Sequence, residues 1–242
     1  MALRRGKHTR HRLPRHGDHD VAIDATLRAA AVRRGRRGGA PVEVEDVRRR
    51  VRASRVPFDV CFVVDNSYSL QAESMVEQVK GLAFRLLEDA VGRSDRVALV
   101  AFRSGTPRAV VALRPTGSLR LASERLRETP LSGRTPLADA LREARLLLRQ
   151  EHFKRANARP IVVALTDGMP NVPLRPGGDA VADAHAAAAE LRRARVPLVV
   201  VDASRPGRAG IGRELAAAGR GLHLPIADVA PEAFASVLAR VA

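Results

Sequence analysis

The stretch Phe58–Ser69, FDVCFVVDNSYS, decides the fold. Its first seven residues are apolar except for Asp59 and run directly into a polar loop, which is the pattern of a short buried strand. Downstream, Met75, Val76, Val79, Ala83, Leu86, Leu87 and Ala90 recur at helical spacing, predicting a long amphipathic helix over about 70–91 that Gly92 ends. Arg96–Phe102 (RVALVAF) is the second predicted strand and Ala109–Leu113 (AVVAL) the third. About six residues separate these two, with Gly105 and Pro107 among them. That is too short for a parallel crossover, so they form an antiparallel hairpin.

The alternation continues to the end of the chain. Ser118–Glu128 reads as a short helix, and Leu137, Ala140, Leu141, Ala144, Leu147 and Leu148 mark a longer one. Pro160–Leu165 (PIVVAL) is a buried strand, Asp179 an N-cap for the Ala-rich helix through Arg193, and Pro197–Val201 another strand. A helix at Gly212–Ala218, a short strand at His223–Ile226 and a helix at Pro231–Val241 complete the series. The expected fold class is α/β: a doubly wound, mostly parallel six-stranded sheet with one antiparallel edge strand and helices on both faces. Ligands of such sheets lie beyond the carboxyl ends of the strands.

Composition divides the 242 residues unevenly. Residues 1–57 hold 16 Lys and Arg against 6 Asp and Glu, much of the chain's formal charge of +16. We expect them to form a basic, partly disordered arm or linker ahead of a domain at 58–242. Residues 1–20 contain almost nothing apolar and read as a solvated tail, whose four histidines have no compact ligand spacing with cysteine. Val21–Val32 reads as a short helix, Arg33–Gly39 as a turn, and Val42–Val51 as an exposed extended segment. The one cysteine, Cys61, falls in an apolar run and reads as a buried small hydrophobe. No apolar run approaches the roughly 20 residues that span a bilayer, and no apolar segment follows the N-terminal arginines, so the expected location is cytoplasmic with no membrane partner.

Three short motifs carry the chemistry. Asp65-x-Ser67-x-Ser69 directly follows the first strand of the predicted sheet, Gly133-Arg134-Thr135-Pro136 precedes a helix, and Thr166-Asp167-Gly168 leaves the end of PIVVAL. All three fall at the same edge of the predicted sheet. Two aspartates and three hydroxyls suit a hard divalent cation, because Mg²⁺ takes six oxygens, keeps several waters and is usually held by only one or two carboxylates. An ion with so few anionic ligands retains charge with which to accept a carboxylate from outside. The bland alternative, a polar turn that caps the next helix, explains Asp65–Ser69 but gives Thr135 and Asp167 no reason to appear.

These residues resemble the metal-ion-dependent adhesion site of von Willebrand factor A domains. The resemblance implies that Ser67, Ser69 and Thr135 ligate directly or in one conformational state, and that Asp65 and Asp167 act largely through metal-bound water. RVALVAF, RAVVALRPTGS, LSGRTPLADAL and LTDGMPN are further similar to the C-terminal integrin-like domain of the large non-catalytic subunit of magnesium and cobalt chelatases, over about residues 18–228. By this resemblance the cofactor is Mg²⁺ or Mn²⁺, and the partner is an AAA+ ATPase or a chelatase subunit that docks through an acidic residue. Tyr68 departs from the family's usual Gly and adds bulk beside the metal loop.

Other chemistry finds little footing. A hydrolase lacks its nucleophile elbow and a well-placed histidine, and Gly207–Gly212 (GRAGIG) has the wrong spacing for a dinucleotide fingerprint. An Arg-rich arm binding nucleic acid is the competing function class, but it lacks the interleaved aromatics that single-strand binding uses. With no Gly-x-x-x-x-Gly-Lys-Ser/Thr and no acid–base constellation, the purified chain alone is expected to hydrolyse no ATP. A phosphate-release assay that detects turnover lost on mutating this chain would refute that expectation.

Overall fold

The computed structural model describes residues 7–14, 20–53, 56–65, 73–102, 108–129, 133–167, 169–204, 210–230 and 234–241. They fall into two compact units, Met1–Val56 and Pro57–Ala242.

The first unit pairs strand β1 (Lys7–Arg12) antiparallel with β2 (Arg49–Ala53), around helix α1 (Ile23–Arg37) and a single 3₁₀ turn at Val44–Asp46. Lys7–Arg12, expected as part of a tail, is therefore a strand, because ladder hydrogen bonds need no apolar side chains. Helix α1 also runs past its expected end, since arginine is a good helix former; Gly38, at φ 68°, ends it. The expected turn at Arg33 is instead a hub. Arg33 Nε donates to both carboxylate oxygens of Asp46 (3.1 and 3.0 Å), while its other nitrogens reach the carbonyls of Gly38 (2.9 Å) and Ala40 (2.7 Å) and pair with Glu43 (2.8 Å). Asp46 also accepts the Glu43 N–H at 2.8 Å, and the Thr26 hydroxyl accepts the Arg48 N–H at 2.9 Å.

The second unit contains a six-stranded sheet of order β5-β4-β3-β6-β7-β8: β3 (Phe58–Val64), β4 (Arg96–Phe102), β5 (Ala109–Thr116), β6 (Arg159–Thr166), β7 (Leu198–Asp202) and β8 (Leu222–Pro225). All pairings are parallel except β4 with β5, the expected hairpin on the edge. The intervening helices are α2 (Glu73–Gly92), α3 (Leu119–Glu128), α4 (Leu137–Lys154), α5 (Ala180–Arg193), α6 (Gly212–Gly219) and α7 (Phe234–Val241). The architecture is thus the doubly wound α/β sheet read from the sequence.

Alternation along β3 shows how the layers form. Phe58, Val60, Phe62 and Val64 face one core with Leu86 and Leu87 of α2, Leu126 of α3 and Phe234 and Leu238 of α7. Cys61 and Val63 face the other, with Leu141 and Leu148 of α4, Leu191 of α5 and Leu215 of α6. Cys61 is fully enclosed and burial pushes its thiol far up, so it is no nucleophile. Asp59, the polar interruption of β3, is buried and pairs with Arg155 at 2.9 Å; desolvation still raises its carboxyl above the ordinary range. Asp95 accepts the Phe58 N–H at 2.9 Å and fixes the start of the same strand.

The Arg33 hydrogen bond, then the Glu43 N–H, hold the Asp46 carboxyl below the ordinary range. A depressed folded-state value means that the stabilisation is present above the unfolded carboxylate range and is lost as pH falls through the lowered value. Hydrogen-exchange protection of α1 is therefore expected to drop on acidification below that range, and Asp46→Asn should flatten the dependence.

Candidate metal centre

The sheet's connectivity reverses direction where the candidate residues lie. From β3 the chain moves to β4 on one side, and β6 later returns to the other side of β3. The strands that follow β3 and β6 thus lie on opposite sides, and sheets so connected hold ligands at the carboxyl ends of such a pair. Asp65 is the residue after β3, and Asp167 the residue after β6.

The two loops are tied at their roots. The Asp65 N–H donates to Leu165 O at 2.8 Å, and the Thr166 hydroxyl donates to Asp65 Oδ2 at 2.7 Å. Asp65 is 1% exposed and Thr166 is likewise buried, so this bond lies in a low-dielectric setting where a lost partner is costly. Asp167 is also buried; its Oδ1 accepts the Met169 N–H at 3.2 Å. Gly210 packs so closely that a Cβ there would overlap the Asp167 carbonyl oxygen.

Thr135 enters from the loop before α4. That helix is anchored by Asp139 in its first turn, whose carboxylate accepts the Ala109 N–H at the start of β5 at 2.8 Å. Thr135 is 0% exposed, and both of its backbone groups meet one residue: its N–H donates to Asn171 Oδ1 (2.8 Å) and its carbonyl accepts the Asn171 N–H (3.3 Å). The Thr135 hydroxyl is buried without a hydrogen-bond partner among the described residues. A buried hydroxyl so placed costs free energy unless something satisfies it, and a cation is one thing that can.

The fold therefore brings Asp65, Thr135 and Asp167 to one end of the sheet. Ser67, Tyr68 and Ser69 lie outside the described residues. Among the described residues no three His, Cys, Asp or Glu side chains gather as a metal site, so a cation here depends on hydroxyl oxygens. Two carboxylates with hydroxyls are a hard-oxygen donor set that fits Mg²⁺ or Mn²⁺ and not a thiolate- or imidazole-bound metal.

Sequence reasoning missed Thr166 and Asn171 as partners of this site, although both stand in the quoted LTDGMPN motif. It also placed His223 only as a surface or strand-end residue. His223, the second residue of β8, has its Nε2 2.7 Å from Oδ2 of Asp202, the last residue of β7. Burial pushes the Asp202 carboxyl up, but hydrogen bonds from His223 and Ser204 outweigh it and leave the group below the ordinary range.

An open α/β sheet with carboxylate and hydroxyl oxygens at its switch point is a familiar class of binding domain. The von Willebrand factor type A domain matches residues 59–221, and the chain belongs to that family. An AAPxQ domain matches residues 5–52. An uncharacterised protein of Mycobacterium tuberculosis is 37% identical over 199 residues, covering 82% of this chain and 31% of that protein. The magnesium-chelatase 60 kDa subunit of Cereibacter sphaeroides is 35% identical over 232 residues, covering 91% and 40%. The domain is thus related to the large magnesium-chelatase subunits, and the chain spans less than half the length of these two relatives. The solved SpRpn10 VWA domain superposes with a TM-score of 0.57 at 14% identity, over 74% of this chain and 94% of that one, a likeness of fold. Among the described residues no helix is long and apolar enough to cross a membrane.

Removing the Thr166 hydroxyl takes a donor from a buried carboxylate. Thr166→Val is expected to destabilise the second unit by about 1–3 kcal/mol, read as a lower midpoint in urea unfolding at unchanged slope.

Proposed function

We propose that the chain is a Mg²⁺-dependent docking module, non-catalytic by itself, that works with an AAA+ ATPase or a chelatase subunit. One divalent cation, Mg²⁺ or Mn²⁺, is held by Asp65, Ser67, Ser69, Thr135 and Asp167. The observation that carries this reading is the buried Thr135 hydroxyl, without a hydrogen-bond partner among the described residues, near the sheet's switch point. The family and the similarity to magnesium-chelatase subunits support it. When bound, the cation supplies an uncompensated positive charge to which a carboxylate from outside can add.

This chain's own residues do the rest. Thr166 holds Asp65, Asp139 anchors the helix that follows Thr135, and Gly210 permits close packing behind Asp167. The partner contributes a Glu or Asp, and the contact gains the strength of a charge-assisted bond. Residues 1–57 are the basic arm that leads into the domain at 58–242. Nucleic acid and membrane are not its partners under this reading.

Asp65→Ala is expected to abolish Mg²⁺ or Mn²⁺ binding in calorimetry while circular dichroism stays native. Thr135→Ala should weaken the pull-down of a chelatase-type AAA+ subunit with little change in Tm, and EDTA should mimic it. A complex that survives EDTA unchanged makes the metal structural and ends the docking hypothesis.

A further inference from the structure

We infer that Asn171 is the positioning residue that sets the Thr135 hydroxyl for the cation, coupling the loop before α4 to the loop that carries Asp167. The inference rests on the metal reading above and goes beyond it by assigning a role to a residue outside the ligand set.

Three observations carry it. First, Asn171 stands 36 positions from Thr135, on a different loop, yet it engages both backbone polar groups of Thr135. The backbone of Thr135 is thereby satisfied, while its hydroxyl has no hydrogen-bond partner among the described residues. A residue whose main chain is fixed from both sides has little freedom left except at χ1, and β-branched threonine is already restricted there. The amide orientation is forced as well, because only Oδ1 can accept from the Thr135 N–H.

Second, the segment that presents Asn171 is stiff. Pro170 and Pro173 flank it in the run Pro170-Asn171-Val172-Pro173, each fixing its own φ and biasing the residue before it to extended backbone. Beyond them the Asp183 carboxylate accepts the Leu174 N–H at 2.7 Å, and the Gly178 N–H donates to Arg175 O at 3.0 Å. Asp179 then caps α5 through the N–H groups of Val181 (2.8 Å) and Ala182 (3.1 Å). Third, Asn171 is itself exposed, so packing does not explain it. Its side chain serves the one hydrogen bond that Oδ1 accepts from the Thr135 N–H.

The consequence is a mutual dependence between two parts of the site. Asp167 and Asn171 are four residues apart on one loop, so a displacement of that loop moves a carboxylate and releases Thr135 together. Oxygens held in place before the cation arrives bind it without an ordering cost, which is the advantage of preorganisation.

The test is Mn²⁺ titration by calorimetry of the full chain and of its Asn171→Ala, Asn171→Asp and Asp65→Ala variants, each first shown to be folded by circular dichroism. Asn171→Ala removes the bond to Oδ1 and keeps the main-chain one, and is expected to weaken Mn²⁺ about five- to tenfold, the effect of one ordinary hydrogen bond. Asn171→Asp keeps an oxygen for the Thr135 N–H and is expected to bind at least as well as the unmutated chain. Equal affinity of Asn171→Ala and the unmutated chain overturns the inference and leaves the metal site standing. So does an Asn171→Asp loss as large as that of Asn171→Ala. Absence of Mn²⁺ binding by the unmutated chain, or unchanged binding by Asp65→Ala, removes the metal reading and the inference with it.

Discussion

Two neighbouring parallel strands, β3 and β6, end side by side and send their chains in opposite directions, and the hydrogen bond between Thr166 and Asp65 spans the point where they part. Every other feature of the site is arranged around that divergence. If both loops left on the same side, their residues would be buried beneath one crossover and no crevice would form. Because they part, polar side chains can stand at the carboxyl ends of an otherwise apolar sheet without burying an unmatched charge in the core.

The apolar layers determine how rigid that edge is. Valine, leucine and isoleucine dominate the strands of both faces, with Phe58, Phe62 and Phe234 enclosed on one side and Phe102 on the other. Close packing of this kind yields little, so the positions of Asp65 and Asp167 are set by the strands that precede them. Thr135 has no such strand behind it. It depends on the N-terminal anchor of α4, through Asp139, and on the hydrogen bonds of Asn171. That difference explains why residues drawn from three loops still need polar contacts between the loops.

The N-terminal unit is organised by another rule. Its polar core is one guanidinium, Arg33, distributed over two carboxylates and two carbonyls, with Thr26 holding the chain that returns. A planar group with five donors can satisfy many acceptors from one place, which lysine cannot. Small units with little apolar surface gain order this way, and a reading that looks for apolar periodicity passes over them.

Much of the second unit was legible in the sequence because burial writes itself into short-range pattern. Apolar runs such as FDVCFVV and PIVVAL could only be interior strands, helical spacing placed α2 and α4, and a six-residue connection fixed the hand of the β4–β5 pairing. The motifs at Asp65, Thr135 and Asp167 were visible because short polar sequences stand there at the ends of predicted strands and helices. Tertiary structure alone decided what each of them touches. That Thr166 would serve Asp65 across 101 positions, that Asn171 would hold Thr135 by its main chain, and that His223 would meet Asp202 are contacts between distant segments. The strand at Lys7–Arg12 and the Arg33 hub were hidden for the same reason. A hydrogen bond needs only a donor and an acceptor brought within about 3 Å, a condition that leaves no periodic trace along the chain and is met only when packing brings the segments together.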